Sequence, residues 1–224
     1  MKKFVVIVAG GSGSRMKTAI PKQFLLLKGK PVLYYTIDAF LKSYADIKVI
    51  LVLPKDHVAA GQEIIDTFFD HSGIEITIGG QTRFHSVQHG LKLVEENSVV
   101  FVHDAVRCMV SPVLIQRCYE AVLEHGSAVP VIASKDSVRI VTDEGNETIE
   151  RDRVKLVQTP QAFYSKILLP AFNIGHNDKF TDEATVVEAS GMSIHLVEGE
   201  ENNFKITLPV DLELAEKLMT ERTN

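Results

Sequence analysis

The sequence has few cysteines, no excess of positive charge and no long apolar run, and each shortage argues against a class of protein. The two cysteines, Cys108 and Cys118, form no CxxC pair and no metal-ligand spacing, which favours a reducing, cytoplasmic compartment. Lysine and arginine total 24 against 29 aspartates and glutamates, which disfavours a nucleic-acid surface. No apolar run is long enough to span a bilayer. We therefore expect a cytoplasmic protein with neither nucleic-acid nor membrane partners.

The length and apolar content are those of one folded domain. The 224 residues are 45% hydrophobic, enough to bury a full core. Because no repeat, linker or second core is visible, we predict a single domain over residues 1–224. The first apolar stretch is too short for a secretory signal and runs directly into a glycine loop. We interpret it as the first strand of a sheet.

Short β-branched runs alternate with helical patterns along the first part of the chain. The predicted strands are KFVVIVA, IKVILVLP, IEITIGG, NSVVFVHDA and SAVPVIA. Helices are predicted at PVLYYTIDAFLKS, at VAAGQEIIDTFFDH, from Thr82 to Glu95, and at SPVLIQRCYEAVLEH. The first strand is apolar at successive positions, as a strand buried on both faces requires. The pattern predicts a Rossmann-like α/β fold, with a mostly parallel central sheet and helices on both faces.

The alternation of strands and helices then breaks. SKDSVRIVTDEGNETIERDRVKLVQTPQAF alternates apolar and polar residues around DEGNE, which predicts a β-hairpin arm at about residues 136–156. Because an isolated hairpin is only marginally stable, we expect the arm to pack against a second copy in a homodimer. Further helices are predicted at AFYSKILLPAF, DEATVVEAS and VDLELAEKLMTE, and strands at SIHLVEG and NFKIT.

The segment AGGSGSRMKTAIPKQF places glycines and cations directly after the first strand. It lacks the GK[ST] of a Walker A loop, and Met16 stands where the dinucleotide fingerprint has its third glycine. Glycines let backbone N–H groups approach phosphate oxygens, and Arg15 and Lys22 would stabilise charge developing in nucleotidyl transfer. The alternative is a surface turn with solvated basic side chains. A second polar cluster, His103 to Arg107, also ends a strand, where open parallel sheets bind ligands.

Four ordered motifs carry a resemblance to a known family. GGSGSRM followed by PKQF resembles the G-x-G-x-R-M…P-K signature of sugar-nucleotide and polyol-phosphate nucleotidyltransferases. VHDAVR, QTPQAF and TDEAT…VEGEENNFKIT follow in order, and the set resembles the 2-C-methyl-D-erythritol 4-phosphate cytidylyltransferase family over essentially the whole chain. The resemblance implies that the phosphate of methylerythritol phosphate attacks the α-phosphorus of CTP, releasing pyrophosphate. It also implies a divalent metal such as Mg²⁺.

The same resemblance implies roles for individual residues. Arg15 and Lys22 would stabilise the reacting phosphates, Arg151 would reach the acceptor phosphate across the dimer, and Lys205 would position that phosphate. The implied nucleotide contacts are Ala9, Gly10, Gly11, Gly13, Gly80, Ser86, Asp104 and Ala105. The implied acceptor contacts are Arg107, Ser137, Thr159 and Thr181. Asp104 is also the implied metal ligand.

Several residues of these motifs could instead have a purely structural role. Asp104 suits a cap on the following turn, and Thr82 suits a helix cap. Asp182 and Glu183 suit the first turn of a helix, where acidic groups complement the helix dipole.

Other positions bear on metals and on departures from the family. His85 and His89 have a zinc-like spacing but no third ligand, so packing histidines are favoured. Gln81 and Cys108 stand where the family often has an acidic residue and a proline. A covalent role for Cys108 is disfavoured, because this chemistry needs no nucleophile from the protein.

Two other functions fit part of the pattern. A ribitol-5-phosphate cytidylyltransferase shares the glycine loop, the HD strand end and TPQ, and one or two polar contacts separate such substrates. A nucleotide-binding regulatory module without turnover would be expected to lack a reacting-centre cation. Because Arg15 and Lys22 are both present, the sequence favours an enzyme.

Overall fold

A computed structural model describes residues 1–10, 20–70 and 73–223 of the protein. In chain order its strands are β1 (Lys2–Val8), β2 (Leu26–Leu27), β3 (Lys30–Pro31), β4 (Ile47–Leu53), β5 (Ile74–Ile78), β6 (Ser98–Asp104), β7 (Ser127–Ala133), β8 (Arg139–Thr142), β9 (Gly145–Thr148), β10 (Lys155–Val157), β11 (Gln161–Tyr164) and β12 (Leu196–Glu198). Its helices are α1 (Val32–Ser43), α2 (Val58–Phe68), α3 (Arg83–Leu91), α4 (Pro112–His125), α5 (Ser165–Ala171), α6 (Glu183–Ala189) and α7 (Pro209–Thr223).

Four parallel strands in the order β5-β4-β1-β6 form the part of the sheet that carries the predicted ligand edge. Val5 on β1 stands opposite Val49 on one side and Phe101 on the other, and all three side chains are fully buried. Continuous β-branched runs therefore form central strands, as the sequence predicts.

Helices cover both faces of this sheet. Val5 and Ile7 belong to a core cluster with residues of α1, α2 and α4, whereas Phe4 and Val6 belong to a second cluster with residues of α3, α5 and α6. Successive side chains of a strand point to opposite faces, so one apolar strand serves both layers. The α/β fold with a largely parallel sheet is confirmed. No helix among the residues described combines the length and apolarity that crossing a membrane requires.

The second half of the sheet departs from the predicted elements. Strand β11 lies antiparallel between β6 and β7, with Ala162 opposite Phe101 and Ala128. Sequence analysis assigned its last residues to a helix, and that was wrong, because Phe163 is fully buried in the sheet and α5 begins only at Ser165. Strands β10 and β12 also pair with β7.

The predicted strand NFKIT is also wrong. Residues 203–207 form an irregular connection outside the sheet, secured by a hydrogen bond from the Ile206 N–H to the Val106 carbonyl. Ile206 is buried in a small third core cluster with Leu27 and with Ala215 of helix α7. This cluster places the segment beside the end of β6.

The hairpin arm forms as predicted but is shorter. Strands β8 and β9 pair antiparallel around Asp143 and Glu144, and every residue of both strands is exposed. Val141 is 82% exposed, which is unusual for a large apolar side chain. A 3₁₀ turn, Arg151–Arg153, then leads back to β10. Packing of the arm against a second copy stays a prediction.

Candidate active site

The carboxyl ends of β1 and β6 meet at one edge of the sheet. Val8 pairs with Asp104, and the Ala105 N–H donates to the Val8 carbonyl at 3.1 Å. Ala9 is tied to the neighbouring strand β4 through the Val52 carbonyl at 2.9 Å. Two predicted nucleotide contacts, Ala9 and Ala105, therefore lie at the edge where ligands bind open parallel sheets. Gly11, Gly13 and Arg15 lie outside the described residues.

Lys22 begins a 3₁₀ turn, Lys22–Phe24, close to that edge. It is only 7% exposed, and its ammonium donates to the Ile206 carbonyl at 2.9 Å. The next residue, Gln23, donates from its side-chain amide to the Ala9 carbonyl at 2.9 Å. A buried ammonium is costly unless it is hydrogen-bonded, so these contacts fix where the cation sits. Lys22 is thereby held between the end of β1 and the segment that carries Lys205.

Asp104 is the centre of a group of three cations. Lys205 Nζ lies 2.9 Å from Oδ2, Arg83 Nε lies 3.3 Å from Oδ1, and Arg107 Nε lies 3.6 Å from Oδ2. Burial alone would raise the pKa of Asp104, but the cations, led by Arg83, hold that pKa well below its ordinary value. The carboxylate is therefore ionised at neutral pH. It pairs with side-chain cations rather than capping the following turn.

Sequence analysis missed the strongest ion pair of the site. The Arg83 guanidinium binds Glu183 through both terminal nitrogens, with Nη2 at 3.1 Å from Oε2, and also contacts Asp104. Glu183 is fully buried, and burial raises its pKa despite the opposing effect of Arg83. Glu183 does stand in the first turn of α6, as its simpler interpretation holds, and it is also buried in an ion pair with Arg83. Asp182 does cap α6, accepting from the Thr185 N–H at 2.9 Å.

The predicted base-binding segment forms a tight turn before α3. The Gly80 N–H donates to Ser86 Oγ at 3.1 Å, and the Ser86 hydroxyl donates to the Thr82 carbonyl at 2.9 Å. Thr82 caps the helix, as its simpler interpretation held. A Cβ added to Gly10 would lie 3.6 Å from Ser86 Oγ, so these two predicted nucleotide contacts are neighbours.

Thr159 and Arg107, two predicted acceptor contacts, are engaged inside the protein. Thr159 is 4% exposed, and its Oγ1 lies 3.1 Å from both the Asp104 N–H nitrogen and His103 Nδ1. Arg107 donates from Nη1 to the Asn203 carbonyl at 2.8 Å. His103 is fully buried, and burial lowers its pKa to about 3, so its ring is neutral at working pH. His103 belongs to the polar cluster that the sequence analysis placed at the end of this strand, whereas Asn203 is a site neighbour that it did not single out.

The other predicted acceptor residues lie on exposed surface. Ser137 and Arg151 belong to the arm region, and Thr181 precedes α6. Among the described residues, no hydrogen bond or ion pair joins these three side chains to the Asp104 group. Their roles stay predictions that depend on a ligand or on a second copy of the chain.

The side chains at the site limit what metal it could hold. Nowhere in the described part of the chain do three His, Cys, Asp or Glu side chains converge to hold an ion. His85 and His89 have separate partners, Thr82 Oγ1 at 2.8 Å and the Ile78 carbonyl at 2.9 Å. Mg²⁺ often takes one carboxylate and completes its shell with phosphate oxygens and water. The ionised Asp104 fits that type of site.

A Rossmann-like sheet with a buried lysine and a cation-bound aspartate at its carboxyl edge has the fold and site of a nucleotidyltransferase. The family model described as IspD, 2-C-methyl-D-erythritol 4-phosphate cytidylyltransferase, matches residues 3–221. The chain belongs to this family. The resemblance carried by the sequence motifs is thereby confirmed.

Individual relatives agree with this assignment. Proteins named 2-C-methyl-D-erythritol 4-phosphate cytidylyltransferase from Bacteroides thetaiotaomicron and Phocaeicola vulgatus are 44% and 45% identical, each alignment covering 98% of this chain and 100% of the relative. The crystal structure of 4-diphosphocytidyl-2C-methyl-D-erythritol synthase from Anaerococcus prevotii superposes with a TM-score of 0.85 at 29% identity, covering 98% of this chain and 96% of that chain. The cytidylyltransferase structure from Thermus thermophilus gives a TM-score of 0.77 at 33% identity, covering 98% and 100%.

Proposed function

We propose that the protein transfers CMP from CTP to 2-C-methyl-D-erythritol 4-phosphate, giving CDP-methylerythritol and pyrophosphate. The observation that carries the proposal is the convergence of Lys22, Asp104 and Lys205 at the ligand edge of a sheet that belongs to this family. Two fixed cations and one ionised carboxylate are what a reaction between two phosphate groups needs, because its negative charge must be offset without a covalent intermediate.

In the proposed reaction an oxygen of the acceptor phosphate forms a bond to the α-phosphorus of CTP. The bond from that phosphorus to the bridging oxygen of the pyrophosphate breaks, and pyrophosphate leaves with the electron pair. Lys22 and Arg15 would offset the charge that accumulates on the α-phosphate and on the leaving group. The glycine loop, with Ala9, Gly10, Gly11 and Gly13, would line the triphosphate through backbone N–H groups.

The base of CTP would lie against the turn before α3. Gly80 and Ser86 would contact the cytosine edge, while Ala105 and Asp104 would lie beside the sugar and phosphates. Because Gly10 and Ser86 are neighbours, one nucleotide could contact both. Gln81 stands where the family often has an acidic residue, so a main-chain contact is the better expectation at that position.

The acceptor would lie between Lys205 and the arm. Lys205 is 40% exposed on its side chain although it pairs with Asp104, so a phosphate at the edge of the site could reach its ammonium. Arg151 would come from the second copy of a homodimer, and Arg107, Ser137 and Thr181 would complete the acceptor side. Cations on the acceptor dianion reduce its repulsion from CTP and hold it for attack.

The reaction is proposed to require a divalent metal, with Mg²⁺ as the expected ion. Asp104 would hold the metal, and the metal would neutralise triphosphate charge and orient the phosphates. Asp104 is already ionised, so no proton need leave before the metal binds. Lys205 would exchange part of its contact with Asp104 for the acceptor phosphate. We also expect the enzyme to work in the cytoplasm, since its two cysteines form neither a CxxC pair nor a metal-ligand spacing.

Ribitol 5-phosphate is the second candidate acceptor, because it would present the same phosphate to Lys205 and Arg151. A non-catalytic nucleotide-binding role is disfavoured because the sequence has both Arg15 and Lys22, the two cations expected at the reacting phosphates.

The direct test of nucleotide and metal is pyrophosphate release by the purified protein with methylerythritol phosphate and either CTP, UTP, ATP or GTP. Release only with CTP, and its loss on chelation with EDTA, is expected. Equal release with UTP would contradict the cytosine assignment, and full activity in EDTA would contradict the metal requirement. The same reactions without acceptor measure hydrolysis of the nucleotide and serve as the control.

A further inference from the structure

Four residues beside Asp104 form a closed ring of hydrogen bonds; they are His103, Arg107, Asn203 and Thr159. His103 Nε2 lies 3.1 Å from the Arg107 carbonyl, and His103 Nδ1 lies 3.1 Å from Thr159 Oγ1. The Thr159 carbonyl accepts from Asn203 Nδ2 at 2.8 Å, and the Asn203 carbonyl accepts from Arg107 Nη1 at 2.8 Å. The ring thus joins the end of β6, the loop after it, the turn before β11 and the segment before α7.

The contacts of the ring determine which of its groups donate and which accept a hydrogen bond. The Arg107 carbonyl can only accept, so His103 Nε2 must carry a proton, and in the neutral ring Nδ1 is then an acceptor. The Thr159 hydroxyl therefore donates to Nδ1. Its oxygen is then the acceptor for the Asp104 N–H at 3.1 Å. No other tautomer of His103 satisfies these contacts.

The ring is buried, although the cations beside it reach solvent. His103 and Asn203 are fully buried and Thr159 is 4% exposed, whereas the Lys205 side chain is 40% exposed. Hydrogen bonds between buried polar groups favour one arrangement of the backbone that carries them. Two polar atoms of the ring residues, Arg107 Nε and Asn203 Oδ1, are buried without a hydrogen-bond partner among the described residues. A ring of this kind specifies position more than it adds stability.

The backbone that the ring fixes carries the reacting-site cations. Asn203 lies two residues before Lys205, whose ammonium binds Asp104, and Thr159 holds the Asp104 N–H. One residue further on, the Ile206 N–H binds the Val106 carbonyl, and the Ile206 carbonyl accepts from Lys22. A shift of residues 203–206 would therefore displace the two lysines together.

We propose that His103, Thr159 and Asn203 are positioning residues that set the relative placement of Asp104, Lys205 and Lys22. This inference rests on the proposed function. It gives the Thr159 hydroxyl a role inside the protein, through Asp104 and His103, rather than a direct contact with the acceptor.

Thr159→Val tests the inference, because valine keeps the shape of threonine and removes the hydroxyl. The matched control is Ser165→Ala. Ser165 Oγ is also buried and accepts a β6 backbone N–H, that of Ser98 at 3.1 Å, but at the opposite end of the strand. Misplacement of reacting groups by about 1 Å costs on the order of 100-fold in rate, so Thr159→Val is expected to lower kcat by about 10- to 100-fold. Ser165→Ala is expected to lower kcat less than about twofold, at a comparable loss of thermal stability.

Thr159→Ser retains the hydroxyl and should recover most of the kcat lost in Thr159→Val, with KM values for both substrates close to wild type. If Thr159→Val and Ser165→Ala have the same kcat once the folded fraction is matched, the ring is structural only and the inference is wrong. If Thr159→Val instead raises only KM for the acceptor, Thr159 touches the substrate and the positioning role is again wrong.

Histidine ¹⁵N NMR of the wild-type protein tests the ring without any variant or turnover. The expected signature of His103 is a protonated Nε2 and an unprotonated Nδ1. A protonated Nδ1 would overturn the ring. Wild-type protein that lacks activity but shows the expected tautomer would contradict the proposed function and leave the ring geometry intact, so the two failures are distinguishable.

Discussion

Lys205 Nζ and Asp104 Oδ2 lie 2.9 Å apart, so the carboxylate at the end of β6 pairs with a cation from the segment before α7. The Asp104 side chain is 11% exposed and that of Lys205 is 40% exposed. The carboxylate is therefore fixed inside the site, while the cation faces the side from which an acceptor phosphate would approach.

Lys22→Ala is expected to lower kcat by about 100- to 1,000-fold, the usual effect of removing one donor that stabilises transition-state charge. The KM for CTP should change by less than about threefold, since the interaction is strongest in the transition state. Lys55→Ala removes an exposed lysine from another 3₁₀ turn and is the control. Steady-state kinetics of both variants give kcat and KM for CTP. A Lys22→Ala enzyme with normal kcat would show that Lys22 does not stabilise the transition state.

Arg151→Ala is expected to raise KM for methylerythritol phosphate by at least about tenfold, because a charge-assisted contact contributes about 1.5–3 kcal/mol. Arg153 is equally exposed on the same turn, so Arg153→Ala should stay near wild type.

Mixing variant subunits tests whether Arg151 of one subunit completes the active site of the other. An Arg151→Ala subunit combined with an Arg15→Ala subunit should regain activity, since each heterodimer would contain one site with both arginines. Verified heterodimers without any regained activity would argue against an arm that completes the partner's site.

Asp104→Asn should destabilise the ligand-free protein at pH 7, because Arg83, Arg107 and Lys205 lose a shared counterion. Losing a buried ionic partner costs about 3 kcal/mol. The cations depress the pKa of Asp104 when the protein is folded, so this stabilisation is present above the unfolded-state pKa of about 3.9 and is lost as pH falls below it. Urea unfolding should show a smaller gap between wild type and variant at pH 3 than at pH 7. An equal gap at both pH values would mean that Asp104 is not stabilised as a carboxylate.

Gly80→Ala is expected to raise KM for CTP more than KM for the acceptor. An added Cβ would lie 2.4 Å from His85 Cβ and 3.1 Å from its backbone carbon, so the start of α3 must move and carry Ser86 with it. Gly175→Ala is the control, since a Cβ there meets nothing within 4 Å. Both variants should be compared by initial-rate kinetics with each substrate varied. An unchanged KM for CTP in Gly80→Ala would remove this turn from the nucleotide site.

The sequence was sufficient for the parallel half of the sheet but not for the antiparallel insertion. The last five positions of β1, from Phe4 to Val8, are all apolar and buried, a pattern typical of a strand that is covered on both faces. β11 is four residues long and merges into α5, and its pairing partners on β6 lie far earlier in the chain. Only tertiary packing identifies it as a strand. Residues 203–207 are held beside the end of β6 by different contacts, the burial of Ile206 in the third core cluster and its hydrogen bond to Val106.

In the candidate site, too, the sequence predicted some residues, and others became apparent only in the folded structure. Lys22, Asp104 and Lys205 stand in recognisable motifs, and the structure brings them together. Glu183 was missed because a glutamate in the first turn of a helix already has a local explanation. Nothing in the sequence shows that this helix start is buried against Arg83. The signal that was available is Arg83 itself, an arginine in the middle of the predicted base-binding segment.

The central claim is the choice of acceptor, and parallel assays of pyrophosphate release test it most directly. Purified protein with CTP and Mg²⁺ should be given methylerythritol 4-phosphate or ribitol 5-phosphate, and kcat/KM measured for each. We predict a kcat/KM at least about 100-fold higher for methylerythritol phosphate, the discrimination that one or two unpaired polar contacts can supply. A preference for ribitol phosphate would contradict the proposed acceptor and retain the cytidylyl transfer, whereas release with neither acceptor would contradict the proposed reaction.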